Sequence, residues 1–498
     1  EDDNAARAAV QAKRGLALRG AARIDDALDA FADAMTLARD TALYDELLMQ
    51  RAQLFVDAYR GKEAEPDIVE LLERARAENE SSKELEAQLL LSTAHYILSL
   101  DQPEGAEQAR ASNERAIELA RELGDRHSLG QALMGSVHMV DYWRDYYVQA
   151  RANVTEALEI AKEIGDEDLE IEATITGMRM QVVSPGDRAE EAENLRERLA
   201  ARRDPLRLKE HLFWMMWQTY GDGRPERCVE VCDEGITLSD RLGAEPVQYP
   251  TIKALALMDL GRFGKAKTAL AGEVADEEHR FGAAFQKVGE LVYQTYLGAR
   301  EKACESARLV APEMHALNRQ QMLLTIVDSL TLVAGDEQLE PDVTTLIEEI
   351  STTTGINPSR LGRVRLMLGE GEAEEALGIL ESARERYSQN GQNRAYALAV
   401  ELSLRALKRL ERWQELVTLG EELINLAEKA GYRNFEWRAR ALCAEAHAAL
   451  GDSEKAQSVR VQSATLLRSI LESVPDEDAE LRQCLERDPL AAQVLASA

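Results

Sequence analysis

Two cysteines, Cys228 and Cys232, stand four positions apart, the spacing that puts two side chains on one face of a helix. A pair of thiolates could begin a zinc site, but a zinc site takes four ligands and the sequence supplies only these two at ligand spacing. Cys228 also falls where the repeat described below wants a small buried residue, and cysteine is among the most buried residue types. The seven histidines are scattered, and none has a second His or Cys at metal spacing on one helix. The run Gly261-Arg-Phe-Gly264-Lys265 has the glycine and lysine of a phosphate loop without its spacing. No HExxH, GxSxG or CxxC occurs. Carboxylates are spread along the whole chain, which on helices makes a solvated face rather than a catalytic pair. The reading is therefore a chain that is not an enzyme and takes no cofactor or metal.

One chemical feature stands above background. Aromatic residues make up only 5% of the chain, yet two clusters occur. The first is Tyr142, Trp143, Tyr146 and Tyr147, and the second is Phe213, Trp214, Trp217 and Tyr220. Phe213, Trp217 and Tyr220 are four and three apart, so on a helix they form one stripe. Rigid aromatic side chains on an exposed stripe are typical anchors for a bound segment. The competing reading is that they fill imperfect packing between helices, as most clustered aromatics do. Phe213, Trp217, Tyr220, Tyr142 and Trp143 are the candidate partner-binding residues.

The elements that must carry these residues are helices. Ala, Leu, Glu and Arg recur throughout, Pro numbers only 12, and long β-branched runs are absent. At 498 residues the chain is too long for one core, and no linker divides it into ordinary domains. An array of repeats resolves this, because each unit packs only on its neighbours. Leu119-Ala-Arg-Glu-Leu-Gly-Asp125 returns 41 residues later as Ile160-Ala-Lys-Glu-Ile-Gly-Asp166. Each run ends on a glycine suited to a left-handed helix cap. A second landmark is a mid-repeat glycine with a small residue five positions on. It occurs at Gly223 with Cys228, Gly261 with Ala266, Gly298 with Ala303, Gly371 with Ala376 and Gly451 with Ala456. A period near forty accommodates two helices of about fifteen residues and two turns.

Gly15, Ala27, Phe31 and Ala34 give the clearest copy, with small residues where helices approach and one bulky residue filling the gap to the next unit. This pattern resembles the tetratricopeptide repeat, in its long-period form, over essentially the whole chain. The match is weak near residues 44, 168 and 320, where larger residues take the small positions. The resemblance implies an all-α, right-handed superhelical solenoid of about twelve helix-turn-helix repeats over residues 1–473, followed by a C-terminal capping segment, 474–498. It also implies that Phe213, Trp217 and Tyr220 face the concave side and Trp214 the packing side. Ser351-Thr-Thr-Thr-Gly-Ile-Asn-Pro358 is the longest stretch of low helix propensity and is expected as a hinge between sub-arrays. The helix ends, and a tail reading Val474-Pro-Asp-Glu-Asp-Ala-Glu-Leu-Arg, are similar to the sensor regions of bacterial multidomain signalling ATPases and regulators.

Such arrays hold other proteins, so the expected function is an interaction scaffold or sensor module that receives a peptide, a helix or a neighbouring domain in its groove. The alternative is a peptide or small-molecule receptor whose superhelix closes on its ligand. The formal charge of −31 repels a phosphate backbone and an anionic membrane surface, and attracts a basic segment. No apolar run reaches the roughly 20 residues needed to cross a bilayer. The five cysteines lack the spacing of a disulfide scaffold, which fits a reducing, cytoplasmic setting.

Overall fold

The computed structural model describes residues 2–496 except 22, 40, 42, 100–101, 103, 138–146, 180–184, 245, 247, 272–279, 318 and 336–338. The described residues form helices and turns and no strand. The helices fall into twelve successive pairs. The first six are α1 (Asp2–Gly20) with α2 (Ile24–Ala38), α3 (Leu43–Asp57) with α4 (Gly61–Glu78), α5 (Ser81–Ser99) with α6 (Glu104–Leu123), α7 (Arg126–Gly135) with α8 (Tyr147–Ile164), α9 (Glu167–Arg179) with α10 (Pro185–Arg202), and α11 (Pro205–Gly221) with α12 (Pro225–Leu242). The next six are α13 (Tyr249–Asp259) with α14 (Phe263–Leu270), α15 (Arg280–Tyr296) with α16 (Arg300–Ala316), α17 (Gln320–Val333) with α18 (Pro341–Thr354), α19 (Arg360–Glu370) with α20 (Ala373–Gln389), α21 (Asn393–Arg409) with α22 (Trp413–Ala430), and α23 (Arg433–Ala449) with α24 (Ser453–Ser473). Two short helices, α25 (Ala479–Arg487) and α26 (Pro489–Ala496), end the chain.

The repeat signals act where the sequence puts them. Gly124 and Gly165, the ends of the two matching runs, have φ of +67° and +65°, a conformation that costs an L side chain about 1–2 kcal/mol. The aspartate after each then caps the next helix: Asp125 accepts from Ser128 N at 3.1 Å and Asp166 from Leu169 N at 3.0 Å. In the first pair, Ala27, Phe31 and Ala34 are fully buried. A Cβ on Gly15 would sit 2.7 Å from the Phe31 ring, so only glycine admits that ring.

By internal packing the chain divides into two units, Glu1–Trp214 with Gly235–Pro246, and Met215–Glu234 with Val247–Ala498. The division runs through α11 and α12. Of the segment 351–358, expected as a hinge, Ser351 to Thr354 form the last turn of α18 and 355–358 lead on to α19 inside the second unit.

In the first unit the leading helices of successive pairs touch in turn, α1 to α3, α3 to α5, α5 to α7 and α7 to α9. Arg51 clamps the buried Asp67 across α3 and α4 with two hydrogen bonds of 2.6 and 2.5 Å. His211 is fully buried, held neutral by burial, and donates to Ala192 O at 2.7 Å, so it packs α11 on α10.

In the second unit the leading helices do more than stack. Each of α13, α15, α17, α19, α21 and α23 touches the next, and α23 touches α13 again. These six form a closed inner ring, with the second helix of each pair outside it. Closure is fastened by turns that meet helices five pairs further on. Asn393 donates to Asp222 O at 2.8 Å, in the turn between α11 and α12. Asn434, buried at the start of α23, donates to Met258 O at 2.8 Å. Ser473 Oγ accepts from Phe263 N at 3.0 Å and lies 2.8 Å from Gly261 O. Tyr293 donates to Asp478 at 2.9 Å. Gly261 has φ +70°, and a Cβ there would meet Ile470 at 2.8 Å, so a glycine is needed twice over. Where an open groove was expected, the inner face of this unit is thus enclosed.

Candidate functional site

Polar side chains that are buried or half-buried meet inside the ring, and every ring helix contributes one. Asp259 comes from α13, Tyr296 from α15, Asp328 from α17, Arg365 from α19, Arg394, Glu401 and Arg405 from α21, and Arg438 from α23. Tyr220, near the end of α11, joins them.

Asp259 and Arg394 anchor one end. Asp259 is fully buried and accepts from Arg394 Nε at 2.6 Å. The Tyr296 hydroxyl lies 2.9 Å from Asp259 Oδ1 and accepts from Arg394 Nη2 at 2.7 Å. The Arg394 guanidinium also sits 4.6 Å from the centre of the Tyr220 ring. Burial works against the Arg394 charge, but the Asp259 carboxylate beside it outweighs that and holds the group well above its ordinary pKa. Burial raises Tyr220 and Tyr296 and keeps both as neutral phenols. Tyr432 is fully buried beside them, and its hydroxyl has no hydrogen-bond partner among the described residues.

The other end is built around Glu401. Its carboxylate takes Arg405 at 2.9 Å and lies 4.0 Å from Arg438, whose guanidinium stacks 5.2 Å from the Trp437 ring. Arg365 makes one long hydrogen bond, 3.4 Å, to Thr331. Burial pushes Arg405 down to about 10, with Arg438 adding to the shift. Burial also lowers Arg365, against the pull of Glu401, Asp328 and Tyr296. Because those three groups sit on α21, α17 and α15, the Arg365 side chain lies where the ring helices converge. Arg394, Arg405 and Arg438 nevertheless keep 22%, 21% and 18% of their side-chain surface in contact with water.

The sequence-derived candidates fall as follows. Trp217 and Tyr220 belong to the second unit and both are half-buried. The Trp217 indole donates to Gln248 at 3.2 Å and meets Phe285 edge-on at 6.4 Å. Tyr220 is the candidate that reaches the polar cluster. Phe213 belongs to the first unit, half-buried and edge-on to Trp214 at 4.7 Å. Tyr142 and Trp143 lie outside the described residues. Cys228 and Cys232 are fully buried, and burial raises the Cys232 thiol above its ordinary value. Sequence reasoning missed the arginines. The available signal was a basic residue between apolar neighbours inside a leading helix, as in Val364-Arg365-Leu366, Leu404-Arg405-Ala406 and Trp437-Arg438-Ala439.

No family model matches the chain, and no curated protein matches it. Among solved structures it is similar to Scc4, solved in complex with Scc2n and Ctf19n, at 10% identity and a TM-score of 0.42 over 94% of this chain and 98% of that one. It is similar to yeast Tom70 at 14% identity and a TM-score of 0.26, over 100% of both chains. It is also similar to a circular tandem repeat protein at 17% identity and a TM-score of 0.16, over 99% and 97%. At these scores the likenesses carry no argument about function, and the all-α solenoid rests on the helix pairs themselves.

Proposed function

We propose that this chain is a non-catalytic binding module that holds a protein or peptide segment, and that the inner face of its second unit is the binding surface. The observation that carries this reading is the convergence of polar and charged groups from all six ring helices inside one ring. Taking charges out of water costs several kcal/mol per ion, and apolar residues would close a ring at least as well. Charge kept inside at that cost is the mark of a site rather than of packing. Trp217 and Tyr220 belong to this surface as aromatic anchors, and Phe213, with Tyr142 and Trp143, to a partner surface contributed by the first unit. The setting is a cytoplasmic bacterial signalling protein, with this array as its sensor arm, and neither nucleic acid nor membrane as partner.

A second reading, a receptor that encloses a peptide or small molecule, is favoured by one specific observation: the ring is closed by α13 against α23, so its inner face is a lumen and not an open trough. The two readings share the surface and differ in the size of what enters it.

The test combines capture and melting on the same samples. Trp217→Ala, Phe213→Ala and Tyr220→Ala are compared with the unaltered protein for partner capture from the source cell, with captured proteins identified, and for thermal unfolding. Lost capture with unchanged melting is the expected result for Tyr220→Ala. Melting lowered by the equivalent of about 3–5 kcal/mol, as for removal of a core aromatic, with capture retained would show these residues to be packing and would remove the proposal.

A further inference from the structure

The joint of α13 with α23 differs from the other five in the ring. Each of those lies between pairs consecutive in the chain, whereas α13 and α23 belong to its first and last pairs. This joint can therefore part without breaking a pair or stretching a connection. It is sealed by Leu260 against the turn at Gly431, by Ile470 against Gly261, and by the hydrogen bonds of Asn434 and Ser473. Beside it Asn393 meets Asp222 and Arg394 meets Tyr220, again between distant pairs.

Segment 475–496 runs over the same joint from one flank to the other. Its first part is fastened to α15 and α16. Tyr293 donates to Asp478 at 2.9 Å, Lys302 pairs with Glu480 at 3.1 Å, and the Cys484 carbonyl lies beside Gly298. Lys267 of α14 stands 4.0 Å from Asp478. Leu481, Leu485, Ala491 and Val494 then join an apolar cluster that holds residues of α13, α23 and α24. α26 touches α23, Leu490 also packs against the cluster built by α19 to α23, and Asp488 acts on Arg405 of α21. The segment thus ties α14 to α16, on one flank of the joint, to α21 to α24 on the other.

The hold of this segment is light. α25 and α26 have 9 and 8 residues, too short to persist as helices away from the ring. Each buries a pair of apolar side chains, Leu481 with Leu485 and Ala491 with Val494. The pair of Lys302 with Glu480 is exposed, and exposed ion pairs add little. Segments with few buried contacts open at free energies well below that of the whole molecule. Resting on the reading of the inner face as the binding surface, we propose that segment 475–496 is a releasable strap across the α13–α23 joint. Engaged, it keeps the ring closed. Released, it lets the joint part and gives a protein segment access to Tyr220 and the inner face.

Hydrogen exchange of the full chain, followed by mass spectrometry, tests this without a partner in hand. In the unaltered protein 479–496 is expected to exchange at least about a hundredfold faster than the core of α24. Glu480→Lys sets two lysines opposite each other at the exposed pair. Adding Asp488→Asn removes the charge that acts on Arg405, while asparagine still caps α26 as Asp488 does at Ala491 N, 3.1 Å away. In this double variant exchange is expected to rise at least about tenfold in 479–496, in α13 and in α23, with α3 to α6 of the first unit unchanged, and partner capture to rise at least about threefold. Should the double variant fail to fold, Glu480→Lys alone, at an exposed residue, serves for the same comparison. The proposal is overturned if 479–496 is as protected as α24, or if α13 and α23 stay unchanged while the strap itself exchanges faster; the segment is then a fixed cap. Capture that depends on Tyr220 and does not rise in the variant overturns it as well, and leaves the proposed function standing. Faster exchange at the joint, with capture independent of Tyr220, keeps the strap and removes the proposed function.

Discussion

At the scale of the residue, the informative side chains are those whose ionisation the fold has moved. Lys209, at the start of α11 in the first unit, sits 5.0 Å from the centre of the Tyr59 ring, and burial pushes its pKa down to about 8. An unfolded lysine keeps its proton to about 10.4. Between pH 8 and that value the unfolded chain binds the extra proton, so this residue makes stability rise with pH across the window. Lys209→Met removes the dependence. The expected outcome is that the melting temperature of the unaltered protein gains on the variant from pH 8 to pH 10. A constant difference would show that the lysine titrates normally. Lys209 was not legible as special in the sequence, because its neighbours Leu208 and Glu210 are ordinary for a helix and its contact with Tyr59 spans 150 positions. Tyr220 was legible as an aromatic in an aromatic-poor chain. Its partner Arg394 was not, since 174 positions separate them and no local spacing relates the two.

At the scale of the element, helices and turns follow from local rules, and the joints between distant pairs do not. The glycine caps at Gly124 and Gly165 and the mid-pair glycines at Gly261 and Gly451 all take positive φ, as their places in the repeat require. Ser473 shows the other case. It ends α24 in the manner of many helix-terminal serines, yet its hydroxyl serves Phe263 N and Gly261 O, more than two hundred positions earlier. Ser473→Ala leaves both backbone groups without that partner in a partly buried joint, and a stranded polar group there costs about 1–3 kcal/mol. The expected outcome is a lower urea midpoint for unfolding with the slope unchanged. A midpoint equal to that of the unaltered protein would mean that water replaces the hydroxyl and that ring closure does not depend on this joint.

At the scale of the whole molecule, charge is the property that sequence reading handles best and interprets worst. Acidic residues exceed basic ones by 90 to 59, so the folded chain repels itself. Added salt screens that repulsion within about 10 Å at 0.1 M. The melting temperature is therefore expected to rise when sodium chloride is raised from about 0.01 to 0.3 M, in a range where screening lengths fall from tens of ångströms to a few. A fall would show that the exposed ion pairs, such as Arg60 with Asp25 at 2.8 Å, outweigh the net repulsion. The sum says nothing of where the charges lie. It favours a basic partner, while the inside of the ring holds arginines and carboxylates together, Arg394 with Asp259 and Arg405 with Glu401 among them.

The sequence by itself determined the helices, their pairing, the period near forty and the class of fold, because each depends on interactions within one or two repeats: a cap three residues away, a small residue one helix away, a phenylalanine filling the gap to the next unit. It determined too that no recognised catalytic motif is present, since those motifs are local. What the tertiary structure decided is that the leading helices from α13 to α23 close into a ring, and that their acidic, phenolic and guanidinium groups meet inside it. Closure depends on the small rotation between neighbouring pairs, accumulated over five of them. A change too slight to leave a mark in any single repeat separates an open trough from a ring. Once the ring closes, residues separated by more than a hundred positions share one desolvated space, and their chemistry is set by that space rather than by their neighbours in sequence.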